Sequence, residues 1–455
     1  MTPLHFFYKW NYIIRLFRVW SPIFSFLYKT KKRLHQNVFF MKLLLLLLIT
    51  FLVLQMSPDD QISQWRGPAR DGIYLETGLL KKWPDEGPTL KFKIETIGKG
   101  LSQPVVYKNI IYVTGLKSDT VDVISACDMD GKVLWEKPYS HAWIRTYPES
   151  RGTPTIENDR IYLIGGMGDL VCLSTNAGEE IWRKEPLKDF EGKNMYWGNV
   201  ESVLLTHEAA LYVTGGDKTT LVAYRKKTGE LLWKSKSTGG SKSYASSSLV
   251  EWAGMKIVLV QTSDDLVGID ASNGNVLWSY NTIQFHTITG NGKGEAANTP
   301  LFCKGDIFIT YGNKQPAMLF HISDDGKSIS LKWKNDVLDT HHGGLVLLNG
   351  AIYGSTMLDN TRGNWASVDW ETGKTNWEKN WFTKGSVISA DGMLYLYEEK
   401  GGHVALVEPD TSDLKIISTF QVKGGEGPHW VHPSIYNKLL LIRHGNALLV
   451  YHIGD

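Results

Sequence analysis

The chain is built from short alternating runs of apolar and polar residues, separated by turns that contain glycine. The stretch Val267–Trp278, which reads VGIDASNGNVLW, shows the unit most clearly. An alternating run ends at Asp270, a turn containing Gly274 follows, and a second short run closes on Trp278. Alternation with a period of two around a glycine turn is typical of a β-hairpin. The pattern therefore predicts a hairpin here.

The same hairpin recurs along the chain with a nearly regular spacing. The closing aromatic residues are Phe92, Trp135, Trp182, Trp233, Trp278, Trp333, Trp377 and Phe420. The steps between them are 43, 47, 51, 45, 55, 44 and 43 residues, an average of about 47 per repeat. A period in the forties, with several short strands and turns per repeat, is typical of a β-propeller with four-stranded blades.

The two ends of the chain decide the predicted number of blades. The C-terminal part offers three strands, around Val431–Tyr436, Leu439–Arg443 and Ala447–Ile453, and lacks a fourth. Near the N-terminus, Leu90–Glu95 offers one strand that no hairpin precedes. Pairing the two parts completes an eighth blade and leaves no exposed edge strand. We therefore predict an all-β, eight-bladed propeller, closed by an N-terminal strand; seven blades would require discarding the repeat that ends at Trp333.

Aromatic residues recur at equivalent places in successive repeats. Tryptophans close the outer hairpins, and tyrosines fall on the second strand at Tyr112, Tyr162, Tyr212, Tyr353 and Tyr395. Large aromatic side chains repeated in this way pack one blade onto the next. We therefore expect both sets to be structural.

Charge divides the chain into a basic leader and a mildly acidic body. The 455 residues carry a formal net charge of +2, yet residues 1–57 contain eight Lys or Arg and no Asp or Glu. The rest of the chain carries 41 basic and 47 acidic residues, a net charge of −6. Binding of nucleic acid requires a concentrated basic face, so no nucleic-acid partner is predicted.

The leader has the layout of a secretion signal. Met41 and Lys42 precede the apolar run Leu43–Met56, which is short for a membrane span and matches the h-region of a signal peptide. No clear cleavage site follows, so an uncleaved membrane anchor is the alternative. We favour Met41 as the true start over an added membrane-surface segment in residues 1–40. The prediction is an exported bacterial protein, periplasmic or associated with the cell envelope.

Between the leader and the blades lies a connecting segment, residues 58–87, so that the predicted propeller covers 88–455. The segment contains Gln64, Trp65, Arg66, Gly67 and Pro68. Its density of Pro, Gly and Asp excludes a helix and predicts an ordered turn, with Trp65 docked on the propeller.

Superposing the predicted blades identifies residues that ring one mouth of the central channel. The innermost strands begin near Pro104, Pro154, Ser202, Ser247, Pro300, Leu345, Val387 and Pro433. Of the residues just before them, the predicted ligand-binding set is Arg151, Asn199, Glu201, Tyr244, Asn298, His341, His342, Lys384, Trp430 and His432. The same ring contains Gln103, Thr153, Ser246 and Ser386. Loops between blades are free to vary, so this chemistry marks a candidate ligand site. The alternative is that these groups only satisfy backbone groups in the turns.

The repeats carry a resemblance to a known family. Asp-x-x-x-Gly-x-x-x-Trp, as in Asp270–Trp278 and Asp369–Trp377, resembles the repeat of the propellers similar to pyrroloquinoline-quinone (PQQ) dehydrogenases, a superfamily that includes the outer-membrane assembly lipoprotein BamB. Four further segments resemble a bacterial subfamily of secreted proteins called PQQ-binding-like: Gln64–Pro68, Arg151–Pro154, His341–Gly344 and Trp430–Pro433. The resemblance implies the fold; because the superfamily contains both enzymes and scaffolds, activity does not follow from it.

The resemblance implies one enzymatic alternative, the PQQ- and calcium-dependent oxidation of alcohols or sugars. That chemistry requires Ca²⁺ held by oxygen ligands, a carboxylate base and an aromatic floor. Asn199, Glu201 and Asn298 could supply the oxygens, with Glu201 as the base, and Trp430 or Tyr244 a stacking face.

The cysteines and histidines do not support this chemistry. Enzymes of the family have an adjacent Cys pair over the cofactor, whereas Cys127, Cys172 and Cys303 are far apart in this sequence, and no haem-type Cys-x-x-Cys-His is present. Cys127 and Cys172 fall at different strand positions, which leaves a disulfide unsupported. His341 and His342 are adjacent, and neighbouring residues of a strand point to opposite faces, so zinc is not favoured. We commit to no catalytic or metal-binding residue.

Three functions remain open at this point. The favoured one is an exported propeller that binds a small molecule, a glycan or a protein at its mouth, without proven catalysis. The second is the PQQ- and calcium-dependent dehydrogenase. The third is a BamB-like scaffold for outer-membrane assembly, against which stands the lack of a lipid-accepting Cys at the end of the leader.

Overall fold

The alternating segments of the sequence form four-stranded antiparallel sheets, the blades of a propeller. The structure, a computed structural model, describes residues 62–286 and 295–455. The leader, with its predicted signal and anchor, lies outside the described residues. Two strands precede the blades, β1 (Ile73–Tyr74) and β2 (Thr89–Ile94).

Each blade runs from an inner strand at the channel to an outer strand at the rim. Blades 1 to 4 are β3 (Val105–Tyr107), β4 (Ile110–Lys117), β5 (Val121–Asp128) and β6 (Val133–His141); β7 (Thr155–Glu157), β8 (Arg160–Ile164), β9 (Leu170–Ser174) and β10 (Glu180–Lys184); β11 (Leu204–Leu205), β12 (Ala209–Val213), β13 (Leu221–Arg225) and β14 (Leu231–Lys234); β15 (Ser248–Trp252), β16 (Met255–Gln261), β17 (Asp265–Asp270) and β18 (Val276–Asn281). Blades 5 to 8 are β19 (Leu301–Cys303), β20 (Asp306–Ile309), β21 (Ala317–Ile322) and β22 (Ile329–Asn335); β23 (Leu345–Leu348), β24 (Ala351–Ser355), β25 (Trp365–Asp369) and β26 (Thr375–Lys379); β27 (Gly385–Ala390), β28 (Met393–Glu398), β29 (His403–Glu408) and β30 (Lys415–Gln421); β31 (Ser434–Tyr436), β32 (Leu439–His444) and β33 (Ala447–His452), with β2. Short helical turns occur in two connections, α1 (Pro186–Asp189) and a 3₁₀ turn at Ile283–Phe285. No helix in the described part of the chain is long and apolar enough to cross a membrane.

The ring closes between the first and the last blade. Strand β2 pairs with β33, with Phe92 opposite Val450, and so becomes the outer strand of blade 8. A hydrophobic cluster then joins blade 8 to blade 1 through Leu441, Val113 and Cys127, among others. Seven further clusters join the other neighbouring blades. The predictions of eight blades and of closure by an N-terminal strand are confirmed, and the repeat that ends at Trp333 is blade 5.

The closing tryptophans join each blade to its neighbour, as the repeat pattern predicted. The indole N–H of Trp182 donates to the carbonyl oxygen of Lys226 in the next blade (2.9 Å), and that of Trp377 donates to Asp410 O (2.8 Å). The turn glycine of the following blade lies against the ring: a Cβ at Gly178 would come within 2.6 Å of Trp135. Glycine is therefore required where the turn meets the aromatic ring.

The connecting segment does more than dock one tryptophan, because residues 62–74 run through the central channel. We call these residues the plug. At one end Ser63 bridges to Ile156 of blade 2, and at the other Ile73 pairs in parallel with Ser389 of β27. Trp65 donates to Thr299 Oγ1 next to blade 5 (3.3 Å). The predicted docking of Trp65 thus occurs inside the channel, which the sequence pattern did not indicate.

Two buried arginines hold the plug to the inner strands. Arg66 and Arg70 are each 2% exposed, and neither forms an ion pair within the described residues. Instead Arg70 donates to the carbonyl oxygens of Ser202 (3.2 Å), Ser247 (3.0 Å) and Val203, where blades 3 and 4 begin. Burial lowers the pKa of Arg70 to about 10, which leaves the guanidinium charged at neutral pH. A cation on the channel axis thus supplies donors to several blades at once.

We predict that Arg70→Met lowers the free energy of unfolding by about 3 kcal/mol or more. The substitution removes the donors of the Ser202 and Ser247 carbonyl groups and leaves both buried without water. Denaturant unfolding of the full chain measures the change. The control is Arg362→Met, because Arg362 is 74% exposed and pairs only with Asp359 at the surface; its effect should stay within about 0.5 kcal/mol. Equal effects of the two substitutions would contradict the role of the plug.

Candidate functional site

A cavity of about 960 Å³ opens at the mouth of the ring, where the inner strands begin. Loops between consecutive blades form most of its wall, and Trp65 of the plug lies at its base. Seven of the predicted residues line it: Arg151, Tyr244, His341, His342, Lys384, Trp430 and His432. Most of the predicted ligand-binding residues and one plug residue therefore line a single cavity.

The other three predicted residues lie outside the cavity lining. The Glu201 carboxylate accepts from Lys242 Nζ at 2.8 Å, and both side chains are 2% exposed. The Asn298 amide donates to Thr310 Oγ1, Thr340 O and His341 O, and its oxygen accepts from Gly344 N (2.9 Å). The Asn199 amide donates to Asn194 Oδ1 at 2.5 Å. Asn298 therefore satisfies backbone groups in the turns, which was the structural alternative to a role in ligand binding.

The three residues that could have supplied oxygen ligands to calcium, Asn199, Glu201 and Asn298, do not form a calcium site. Burial raises the pKa of Glu201, and Lys242 opposes that rise. Glu201 Oε2 is bound to Lys242 Nζ, so this carboxylate is paired with a lysine rather than presented to a metal. The oxygen of Asn298 is bound to a backbone N–H. Ca²⁺ needs six to eight oxygens around one point. Within residues 62–286 and 295–455, no three or more His, Cys, Asp or Glu side chains are grouped so as to hold a metal.

The cysteines are unpaired and structural. Cys127 and Cys172 are buried in different clusters, between blades 8 and 1 and between blades 2 and 3 respectively. Desolvation by burial raises the pKa of each thiol to about 12, so neither is a reactive thiolate at neutral pH.

Aromatic side chains form one side of the cavity wall. Tyr147 meets the rings of Trp197 (centroids 5.8 Å apart) and Trp430 (5.0 Å), and Tyr196 meets Trp197 (4.7 Å). The rings are tilted by 46° to 87° to one another rather than parallel. Tyr147 and Tyr196 are 50% and 68% exposed, so their faces are open to a ligand.

Sequence reasoning missed several wall residues because they lie in long loops rather than immediately before an inner strand. They include Trp65, Tyr147, Tyr196, Trp197, Glu295, Asn313 and Asn360. The sequence contained one signal of these residues, the extra length of two repeats. The two longest steps between closing aromatic residues, 51 and 55 residues, contain the connections that hold Tyr196, Trp197 and Glu295. Extra length in a repeat marks the loops that line this mouth.

The base of the cavity joins the plug to the blades through His432. Arg66 donates to His432 Nδ1 (2.7 Å), and Nε2 of the same ring lies 2.7 Å from His342 O. These contacts require a neutral ring that carries its hydrogen on Nε2. Desolvation and the charge of Arg66 lower the pKa of His432 to about 3. Gly344 makes room for this contact, since a Cβ there would lie 1.9 Å from the Arg66 guanidinium.

The remaining ionisable groups of the wall are largely paired or neutral. Lys384 forms an ion pair with Glu399 and donates to Asn360 O (3.0 Å). Desolvation lowers the pKa of His341 to about 4 and that of His342 well below its ordinary value of 6.5, so both rings are neutral at pH 7. Arg151 donates to the carbonyl oxygens of Glu149, Thr146 and Tyr147. The wall therefore presents mostly neutral polar groups.

Comparison with models of known families identifies the family of the chain. The family model described as "Outer membrane protein assembly factor BamB", one of the PQQ-like repeat models, matches residues 117–379, more than half of the chain. The chain belongs to this BamB-like family. No curated protein sequence matches it.

Solved structures similar to this BamB-like chain include a BamB and alcohol and methanol dehydrogenases. BamB from Moraxella catarrhalis is 13% identical, with a TM-score of 0.57 over 80% of this chain and 99% of its own. Quinohemoprotein alcohol dehydrogenase from Comamonas testosteroni is 12% identical, with a TM-score of 0.60 over 85% of this chain and 79% of its own. A europium-containing methanol dehydrogenase is 11% identical, with a TM-score of 0.58 over 84% and 90% of the two chains. At these identities the likeness shows the fold alone.

We predict that Glu201 is a structural partner of Lys242. Lys242→Met should lower the free energy of unfolding by about 3–5 kcal/mol, because it leaves a buried carboxylate without its cation. The loss should be largest above neutral pH and smaller near pH 5, where a carboxyl with a raised pKa takes up a proton in the folded state. The double variant Glu201→Gln, Lys242→Met should recover part of the loss. No recovery would contradict the pairing.

We also predict that His432 makes stability depend on pH. Its folded pKa of about 3 lies below its ordinary value of 6.5, so its contribution is complete above pH 6.5 and is lost as the pH falls towards 3. His432→Gln keeps an amide donor and a carbonyl acceptor but does not titrate. Between pH 7.5 and 5, the wild type should lose about 2 kcal/mol of unfolding free energy relative to this variant. A difference that stays constant with pH would contradict the neutral, buried ring.

Proposed function

We propose that this BamB-like propeller is an exported binding module that takes its ligand in the mouth cavity, without quinone chemistry. The observation that carries the proposal is the cavity of about 960 Å³ at the mouth, lined by aromatic and polar groups and by Trp65 of the plug. Cavities of this size and mixed lining are typical of ligand sites. Export to the periplasm or envelope is supported by the basic, apolar leader and by the outer-membrane role that the family description names.

The dehydrogenase is the second candidate, and the fold likeness to alcohol and methanol dehydrogenases favours it. Family membership is compatible with either a scaffold or an enzyme. The Lys242–Glu201 pair argues against the dehydrogenase, because the Glu201 carboxylate, the candidate base and metal ligand, is already bound to Lys242.

The test is a thermal-stability screen of the full-length protein against defined ligands. The panel contains PQQ with and without Ca²⁺, a set of neutral oligosaccharides, acidic oligosaccharides and short peptides. A ligand at about 100 times its Kd stabilises the fold by about 2.7 kcal/mol, which raises the midpoint of this chain by about 3 °C. We expect such a shift with at least one class.

Two variants locate the binding. Trp430→Ala removes an aromatic face of the cavity and should abolish the shift. Phe382→Ala removes a ring that is 56% exposed and does not line the cavity, and should leave the shift intact. No shift with any class, or equal shifts in both variants, would overturn the proposal. A shift that requires both PQQ and Ca²⁺ would instead establish the dehydrogenase.

A further inference from the structure

The polar groups of the wall that lack a protein partner are almost all neutral. Among the described residues, no protein hydrogen bond reaches the Trp430 indole N–H, the Tyr147 and Tyr196 hydroxyls, the Asn360 side-chain amide or the His341 ring. These five groups belong to five separate loops around one cavity. Unpartnered donors and acceptors that converge on one cavity pair with water or with a polar ligand.

The charged groups of the wall are not presented to an anion. The Lys384 ammonium is paired with Glu399, and three donors of the Arg151 guanidinium are bound to backbone carbonyl groups. The Glu295 carboxylate accepts hydrogen bonds from Trp197 and Asn313 and adds a negative charge to the wall. Within residues 62–286 and 295–455, a phosphate or carboxylate ligand would therefore meet no free cation on the wall and one nearby carboxylate.

The aromatic rings of the wall suit a ligand that carries C–H groups. The face of an aromatic ring carries negative charge in its quadrupole and attracts the positive hydrogens of C–H groups. Tyr147, Tyr196 and Trp430 all line the cavity. Tyr147 and Tyr196 are 50% and 68% exposed, and the Trp430 ring is partly exposed between Tyr147 and His342. A sugar ring has C–H groups on its faces and hydroxyl groups at its edge. Open aromatic faces bordered by neutral donors and acceptors match that distribution.

We infer that the ligand of the mouth cavity is a neutral oligosaccharide, an inference that rests on the proposed function. Its sugar rings lie on the faces of Tyr147, Tyr196 and Trp430. Its hydroxyl groups pair with the Trp430 N–H, the tyrosine hydroxyls, the Asn360 amide and the His341 ring. The cavity volume of about 960 Å³ is large for a single small ligand, which favours a chain of sugars over a monosaccharide.

The experiment is calorimetric titration of the full-length protein with defined hexasaccharides. The neutral ones are cellohexaose, maltohexaose, xylohexaose, mannohexaose and chitohexaose, and hexagalacturonate is the acidic one; glucose is the monosaccharide control. We expect at least one neutral hexasaccharide to bind with a Kd below 1 mM, and glucose to bind at least tenfold more weakly. PQQ with Ca²⁺ and a random hexapeptide mixture are titrated in parallel.

Variants place the binding in the cavity. Tyr196→Ala should weaken the best hexasaccharide at least tenfold without loss of stability, because Tyr196 is 68% exposed. Trp430→Ala should do the same, and Phe382→Ala should bind as the wild type does. Equal affinities in the wild type and the Tyr196 variant would overturn the inference.

The remaining outcomes separate this inference from the proposed function. The protein could bind only hexagalacturonate, only peptide or only PQQ, and lose that binding in Trp430→Ala. Such a result would overturn the inference of a neutral oligosaccharide ligand but would leave the proposed binding module intact. Binding of nothing in either the titrations or the stability screen would overturn both.

Discussion

The structure depends on two buried cations that lie in the channel of the propeller. Arg66 and Arg70 donate to carbonyl groups and to one imidazole, from blades 3, 4, 6, 7 and 8. A buried charge without a carboxylate partner is tolerated only when its donors are met by hydrogen bonds. Here the inner ends of the blades supply those acceptors, and the arginines in turn donate to the carbonyl groups of several blades. The plug and the ring therefore require each other.

This dependence explains why several short motifs lie together. Gly344 leaves room for the Arg66 guanidinium, His432 accepts from it, and Gln103 Oε1 accepts from the Arg66 backbone N–H at 2.7 Å. Thr153 Oγ1 then accepts from Gln103 N at 3.0 Å. The segments that resemble the PQQ-binding-like subfamily thus meet around the plug. Their shared chemistry holds the plug in place, and the cavity lies directly above it.

The fold could be predicted because it rests on periodic features. The Asp270–Trp278 unit repeats, strands alternate with a period of two, and the unpaired strand at Phe92 completes the final blade. The mouth could be predicted where residues directly precede inner strands, as at Trp430. The roles of Glu201 and Asn298 could not, because the partners of Glu201 and Asn298, Lys242 and Gly344, are close in space but distant in sequence. A pattern read along the chain contains no information on such pairing.

We propose that the mouth cavity, with the plug in place, binds a neutral polyhydroxylated ligand against aromatic side chains. A crystal structure of the full-length protein with the tightest-binding hexasaccharide would show this directly. We expect sugar rings on Tyr147, Tyr196 and Trp430, with Arg66 still bound to His432 and Glu201 still paired with Lys242. A ligand bound elsewhere, or a calcium ion on Glu201 with Lys242 displaced, would contradict it.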